Sequence, residues 1–262
     1  MMFTASTHRT RTGLAAAACL LVAGFTSSAS ASSINYGDFS DIPPGSVMYL
    51  DVTETANTPG DIPPLYGAPS VLGNLLDFDS AGFNATAQDG SSDITDGQLN
   101  FTLMADQGQY ITDFFISESG DYSLLGTGTT ATNITYALAV TSVKVLEVDG
   151  VELDTPVTLA PLNVSGGDDL GSGTDALTPW SLQLAYSLDT ALQNTNVLFR
   201  AGVTKVEIAV NNTLAAISED LSIASVSKKD FTISTNTEDI PEPAAGLMIG
   251  LGLGLAGLRR RR

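Results

Sequence analysis

Apolar and polar side chains alternate with a period of two through the middle of the chain. Leu99, Phe101 and Leu103 interleave with Asn100, Thr102 and Met104, and Ile134, Tyr136, Leu138 and Val140 with Thr135, Ala137 and Ala139. Leu182, Leu184, Tyr186 and Leu188 repeat the pattern, as do Val206, Ile208 and Val210, and Phe231 and Ile233. Such alternation puts one set of side chains on a core face and the other outside, and so predicts strands. Further strands are predicted at 47–52, 71–78, 110–117, 143–148 and 221–226. Asp149-Gly150 predicts a tight hairpin turn, and Gly120-Asp121-Tyr122 a second turn. A single short helix is expected at 189–194. Pro43-Pro44 and Pro63-Pro64 flank an irregular N-terminal region, and the Gly-rich stretch 166–175 is the best internal break. The expected fold is all-β: a single β-sandwich, jelly-roll-like, with a barrel as the competing architecture.

Both ends depart from this pattern. Arg9 and Arg11 precede a 12-residue apolar run from Leu14 to Phe25, and Ala29-Ser30-Ala31 follows. Basic, apolar and small-residue segments in that order read as a signal peptide over 1–31, with signal peptidase leaving Ser32 as the first mature residue. The lipoprotein alternative through Cys19 lacks a Leu three positions upstream, where Ala16 stands. At the other end Pro241-Glu242-Pro243 precedes 15 uncharged residues, 244–258, and then Arg259, Arg260, Arg261 and Arg262. A helix of that length reaches about 22 Å, so it spans a bilayer only with its flanks partly immersed. The arginines stay on the cytoplasmic side and the body is held outside. Gly246, Gly250 and Gly254 leave a bare face for close approach of another helix.

This order of motif, short Gly/Leu helix and Arg cluster resembles the PEP-CTERM sorting signal of Gram-negative bacteria. The resemblance implies recognition by an exosortase, a membrane-embedded cysteine transpeptidase. It implies a transient inner-membrane anchor, cleavage near Pro241-Glu242-Pro243, and release or attachment at the cell surface in exopolysaccharide and biofilm producers. The body is similar to other PEP-CTERM sandwich bodies in 95–101, 118–122, 146–150 and 228–231. That group brings no activity with it. The layout is then signal peptide 1–31, sandwich body 32–235, linker 236–240 and sorting signal 241–262.

Charge and composition narrow the chemistry. Residues 32–240 hold five bases against 28 acids, a net of −23 that repels nucleic-acid backbones. His8 and Cys19 are the sole His and Cys, so a body starting at Ser32 has neither. That removes Ser-His-Asp and Cys-His nucleophiles, His/Cys metal sites and disulfides. A carboxylate-based glycoside hydrolase remains, with Glu118 and Asp121 or Glu147 and Glu152 as candidate pairs. Each pair fits a turn or a solvated strand face equally well. Trp180, the only Trp, is the candidate glycan contact, with Tyr36, Tyr49, Tyr66, Tyr110 and Tyr122 able to join it, against core packing of the same rings. Asp168, Asp169 and Asp175 on the Gly-rich stretch, and Asp77 and Asp79 in an EF-hand-like spacing, are candidate Ca2+ ligands, against ordinary turn aspartates. No other cofactor is expected. The sequence reading is an exported, non-enzymatic structural or adhesive protein of the cell surface or extracellular matrix. The alternatives are an exopolysaccharide-binding module and a hydrolase.

Overall fold

The computed structural model describes residues 32–80 and 82–241. The segment read as a signal peptide, with Ala29 and Ala31, and the tail from Glu242 and Pro243 to Arg259–Arg262 lie outside the described residues. The strands are β1 (Ser33–Ser40), β2 (Val47–Ala56), β3 (Pro69–Leu72), β4 (Leu75–Phe78), β5 (Asn84–Gln88), β6 (Ser92–Ala105) and β7 (Gln109–Gly126). They continue as β8 (Asn133–Val148), β9 (Val151–Leu159), β10 (Leu162–Asp169), β11 (Asp175–Ser187), β12 (Val203–Ile217) and β13 (Ser222–Asp239). Among the described residues one α-helix, α1 (Leu188–Gln193), sits in the expected place, its N-terminus capped by the Ser187 side chain accepting from Thr190 N.

The strands form two antiparallel layers. In one, β1-β2-β6-β12-β8 follow in order, and the far edge of β8 pairs β10 along 133–140 and β9 along 143–148. In the other, β11-β7-β13 follow, and the far edge of β13 pairs β5 along 223–227 and β4 along 231–234, with β3 beyond β4. A single bridge, Val203 to Ile111, joins the layers at one corner. The chain passes from layer to layer at most long connections, as jelly-roll topologies do. This is the expected β-sandwich.

The expected core faces are the buried ones. Leu99, Leu103, Leu138, Val140, Val206, Ile208, Val210, Phe231 and Ile233 are fully buried, and Phe101, Ile134, Leu182, Leu184 and Tyr186 nearly so. Polar links also cross the sandwich. The Tyr49 hydroxyl of β2 lies 3.1 Å from the Ile233 carbonyl of β13, and the Tyr122 hydroxyl of β7 donates to Asp168 of β10.

Several boundaries differ from the sequence reading. The segment 71–78 is a hairpin, because Gly73 takes φ +60° and turns the chain. Gly120-Asp121-Tyr122 is no turn; β7 runs through it. The Gly-rich break at 166–175 is divided: 166–169 end β10, paired with β8, Leu170–Ser172 form a 3-10 turn, and Asp175 opens β11. The linker 236–240 is absent as such: β13 stays paired with β7 to Asp239, across a register shift between Asn236 and Thr237, and Ile240 N donates to the Gly108 carbonyl. The Asp149-Gly150 turn stands as expected, both residues at positive φ.

Candidate functional site

Trp180 is inside the sandwich, with 5% of its surface exposed, which corrects its reading as an open glycan platform. Its ring stacks on Tyr136 at 4.5 Å between centroids, and Nε1 donates to the Ser227 carbonyl over 3.1 Å. Tyr49, Tyr66 and Tyr122 are buried as well. Tyr36 and Tyr110 are half-buried and donate their hydroxyls to Glu54 and Glu238. The rings are spent on core packing and internal hydrogen bonds.

The two candidate carboxylate pairs fare differently. Glu147 and Glu152 are register partners across β8 and β9, and Glu147 Oε1 accepts from the Thr204 hydroxyl. Asp121 bonds Lys229 and Ser227, and the Lys229 contact holds its carboxyl below the usual range. Glu118 is buried on the core face, far from a solvated acid/base role. Its Oε2 lies 2.6 Å from Lys228 Nζ, and both side chains are fully inaccessible. Beyond this ion pair Nζ has no hydrogen-bond partner among the described residues, and Glu118 Oε1 has none. Oε2 also accepts from Asn212 Nδ2 over 2.6 Å. The Tyr66 hydroxyl stands 2.8 Å from Asn212 Oδ1 and 2.9 Å from the Gly97 carbonyl and shares its proton between them. Tyr66, Phe83 and Phe231 surround Nζ at 5.1, 4.4 and 5.0 Å from their ring centres. Burial pushes the Lys228 amine down to about 8, against the raising effect of Glu118. Glu54, buried beside them, holds the Tyr66 segment by accepting from Leu65 N and Tyr66 N.

Asp168 and Asp175 do come together, both reaching the Tyr122 hydroxyl, at 2.5 and 3.4 Å. Asp169 N donates to Asp168 Oδ1, while Asp169 Oδ1 is buried without a partner among the described residues. Asp77 sits on β4 opposite β13, where burial and the Asp230 and Asp79 charges raise it. The two sets are separate. No group of three or more acidic, His or Cys side chains placed to hold a metal ion occurs among the described residues. The EF-hand-like spacing fails because Leu75–Phe78 is strand rather than loop.

Two surface concavities bear on ligand binding among the described residues. A cavity of about 480 Å3 lies between the β9–β10 turn and the β11–α1 junction, lined mainly by apolar groups including Leu159, Pro161, Tyr186 and Ala191. The second is a shallow groove on the outer face of β6 and β12, where Asn57, Asp96, Gln98 and Asn211 lie beside Pro59 and Ile94. Asp96 organises it: Oδ1 accepts from Asn57 Nδ2 over 2.8 Å, and Oδ2 from Thr213 Oγ1 over 2.8 Å and Asn211 Nδ2 over 3.2 Å. An array of fixed amides around a carboxylate is suited to polyhydroxylated ligands. The sequence reading missed it because its members come from three separated segments.

The described residues form a two-layer antiparallel β-sandwich whose last strand ends at Asp239. Residues 239–262 match the family model described as the PEP-CTERM protein-sorting motif, so the chain ends in a sorting segment of that kind, which implies handling by an exosortase. No curated protein matches the chain. Among solved structures it is similar to TmCBM61 in complex with beta-1,4-galactotriose, at 10% identity and TM-score 0.24, covering 76% of this chain and 87% of that one. It is similar to the family 11 carbohydrate-binding module from Clostridium thermocellum, at 11% identity and TM-score 0.19, covering 69% and 95%. A third is lectin I-B4 from Griffonia simplicifolia in its metal-free form, at 9% identity and TM-score 0.20, covering 78% and 99%. At these scores the likenesses carry no argument about a ligand.

Proposed function

We propose that the body is a non-enzymatic structural or adhesive unit of the cell surface or extracellular matrix. The observation that supports this is the junction at Asp239, where β13 runs directly into the sorting motif. The sandwich is carried outward as the cargo of the tail. Its strong negative charge keeps it soluble and hydrated in a matrix. A second reading, exopolysaccharide binding, is favoured by the Asp96 groove rather than by Trp180. The test is surface adhesion by a producing strain lacking the protein, complemented with wild type or with Asp96→Ala. Loss of adhesion, restored by wild type, is expected; unchanged adhesion on deletion rejects the structural role. Failure of Asp96→Ala to restore adhesion, together with lost retention on immobilised exopolysaccharide, assigns the groove to glycan contact.

A further inference from the structure

Lys228 of β13, Asn212 of β12 and Glu118 of β7 meet in the sealed core between the two layers, a place where neither a charge pair nor a polar amide is needed for packing. We propose that they form a self-catalysed covalent cross-link, an isopeptide bond between Lys228 Nζ and Asn212 Cγ, with Glu118 as the proton carrier.

The geometry supplies each part of an acyl transfer. Glu118 Oε2 stands 2.6 Å from both Lys228 Nζ and Asn212 Nδ2, so the two nitrogens are at most twice that distance apart. The network fixes the orientation of the amide: Nδ2 faces the carboxylate acceptor and Oδ1 faces the Tyr66 hydroxyl. Tyr66, Phe83 and Phe231 exclude water and disfavour the separated charges. Transfer of one proton from Nζ to Oε2 gives a neutral amine and a neutral acid, and the lowered basicity of the buried amine assists it.

The neutral amine attacks Asn212 Cγ. Negative charge develops on Oδ1, where the Tyr66 hydroxyl is already placed to donate. Glu118 gives its proton to Nδ2 and takes one from the attacking nitrogen, acting as acid and then base. The Cγ–Nδ2 bond breaks, ammonia leaves, and the new Nζ–Cγ amide remains. Glu118 then still holds the proton first taken from the lysine; passing it to the departing ammonia, which leaves as ammonium, returns the carboxylate to its starting state, the phenol ends as it began, and no oxidant or further reactant is required. The hydrogen-bonding vacancies at Lys228 Nζ and Glu118 Oε1 suit groups that change partners during a reaction better than a settled ion pair. The product ties the layer of β12 to the layer of β13 in a body that has no cysteine with which to form a disulfide.

The test uses the full chain, purified folded and then denatured. Cleavage after Glu219, which lies between the two residues, is followed by mass spectrometry. The expected result is that the Asn212 and Lys228 peptides remain joined, lighter together by one ammonia, with trypsin failing to cut after Lys228. Separate peptides of full mass overturn the proposal. So does an ammonia deficit in the Asn212 peptide alone, which marks a succinimide. Glu118→Gln should abolish the link while Asn212→Asp, losing water instead, should give the identical linked product. If Glu118→Gln does not fold, the wild-type digest and Asn212→Asp still decide the matter.

Discussion

A few polar residues at core positions shape this molecule more than its many surface acids do. Glu54, Glu118 and Asn212 each occupy the inward place in an otherwise apolar alternation, after Val52, Ile116 and Val210. Lys228 does the same after Ala224 and Val226. That substitution of polar for apolar was visible in the sequence, but their convergence was not, because it depends on strands far apart in the chain. Glu219 shows the opposite arrangement at the surface. Its carboxylate accepts from Thr129 N, the Thr129 hydroxyl and the Thr132 hydroxyl, and these bonds hold its carboxyl below the ordinary value of 4.5. The folded state therefore binds this proton more weakly than the unfolded chain. The resulting stabilisation is complete above the unfolded value and is lost as pH falls through the folded one. Glu219→Gln should lower stability at neutral pH and flatten this part of the acid-unfolding profile. A variant profile parallel to wild type would show that Glu219 does not titrate with folding.

At the scale of elements, length was the main surprise. Separate strands expected at 134–140 and 143–148 are one strand, β8, and those at 221–226 and 231–233 are joined in β13, which starts at Ser222. Long ladders with bulges keep the inward set inward: β13 shifts register between Lys228 and Asp230, so the alternation restarts at Phe231. A period of two cannot show such a continuation, since a bulge reads as a break. The edge strands β1, β5 and β10 escaped notice because their faces are half exposed and their sequences polar. The deep faces of β6, β11 and β12 were legible because both layers press on one side of each. Gly120 was misread as turn chemistry when its purpose is room. A Cβ there would strike the Ser227 carbonyl and come within 2.9 Å of the Trp180 ring. Gly120→Ala should therefore destabilise the body by about 1–3 kcal/mol, as overpacking does. Denaturant unfolding checks this, and a midpoint equal to wild type would mean that β7 and β13 separate freely at this point.

On the scale of the whole molecule, sorting and folding share one strand. Replacing Pro241-Glu242-Pro243 with Ala, or Arg259–Arg262 with Ser, should leave unprocessed precursor in the inner membrane with a normally folded body. Fractionation followed by mass spectrometry reads this out, and wild-type surface material still ending in Arg262 would refute processing. Because β13 bonds β7 along nearly its full length and then passes straight into the tail, tension on a tethered chain enters the sandwich through that strand. Pulled along its axis, β13 loads its ladder in shear, where many hydrogen bonds must fail together instead of opening one after another. An anchored body of this build would hold under drag from flowing water. A pull across the strand would peel it from Asp239 inward, so the direction of attachment decides how much force the protein withstands.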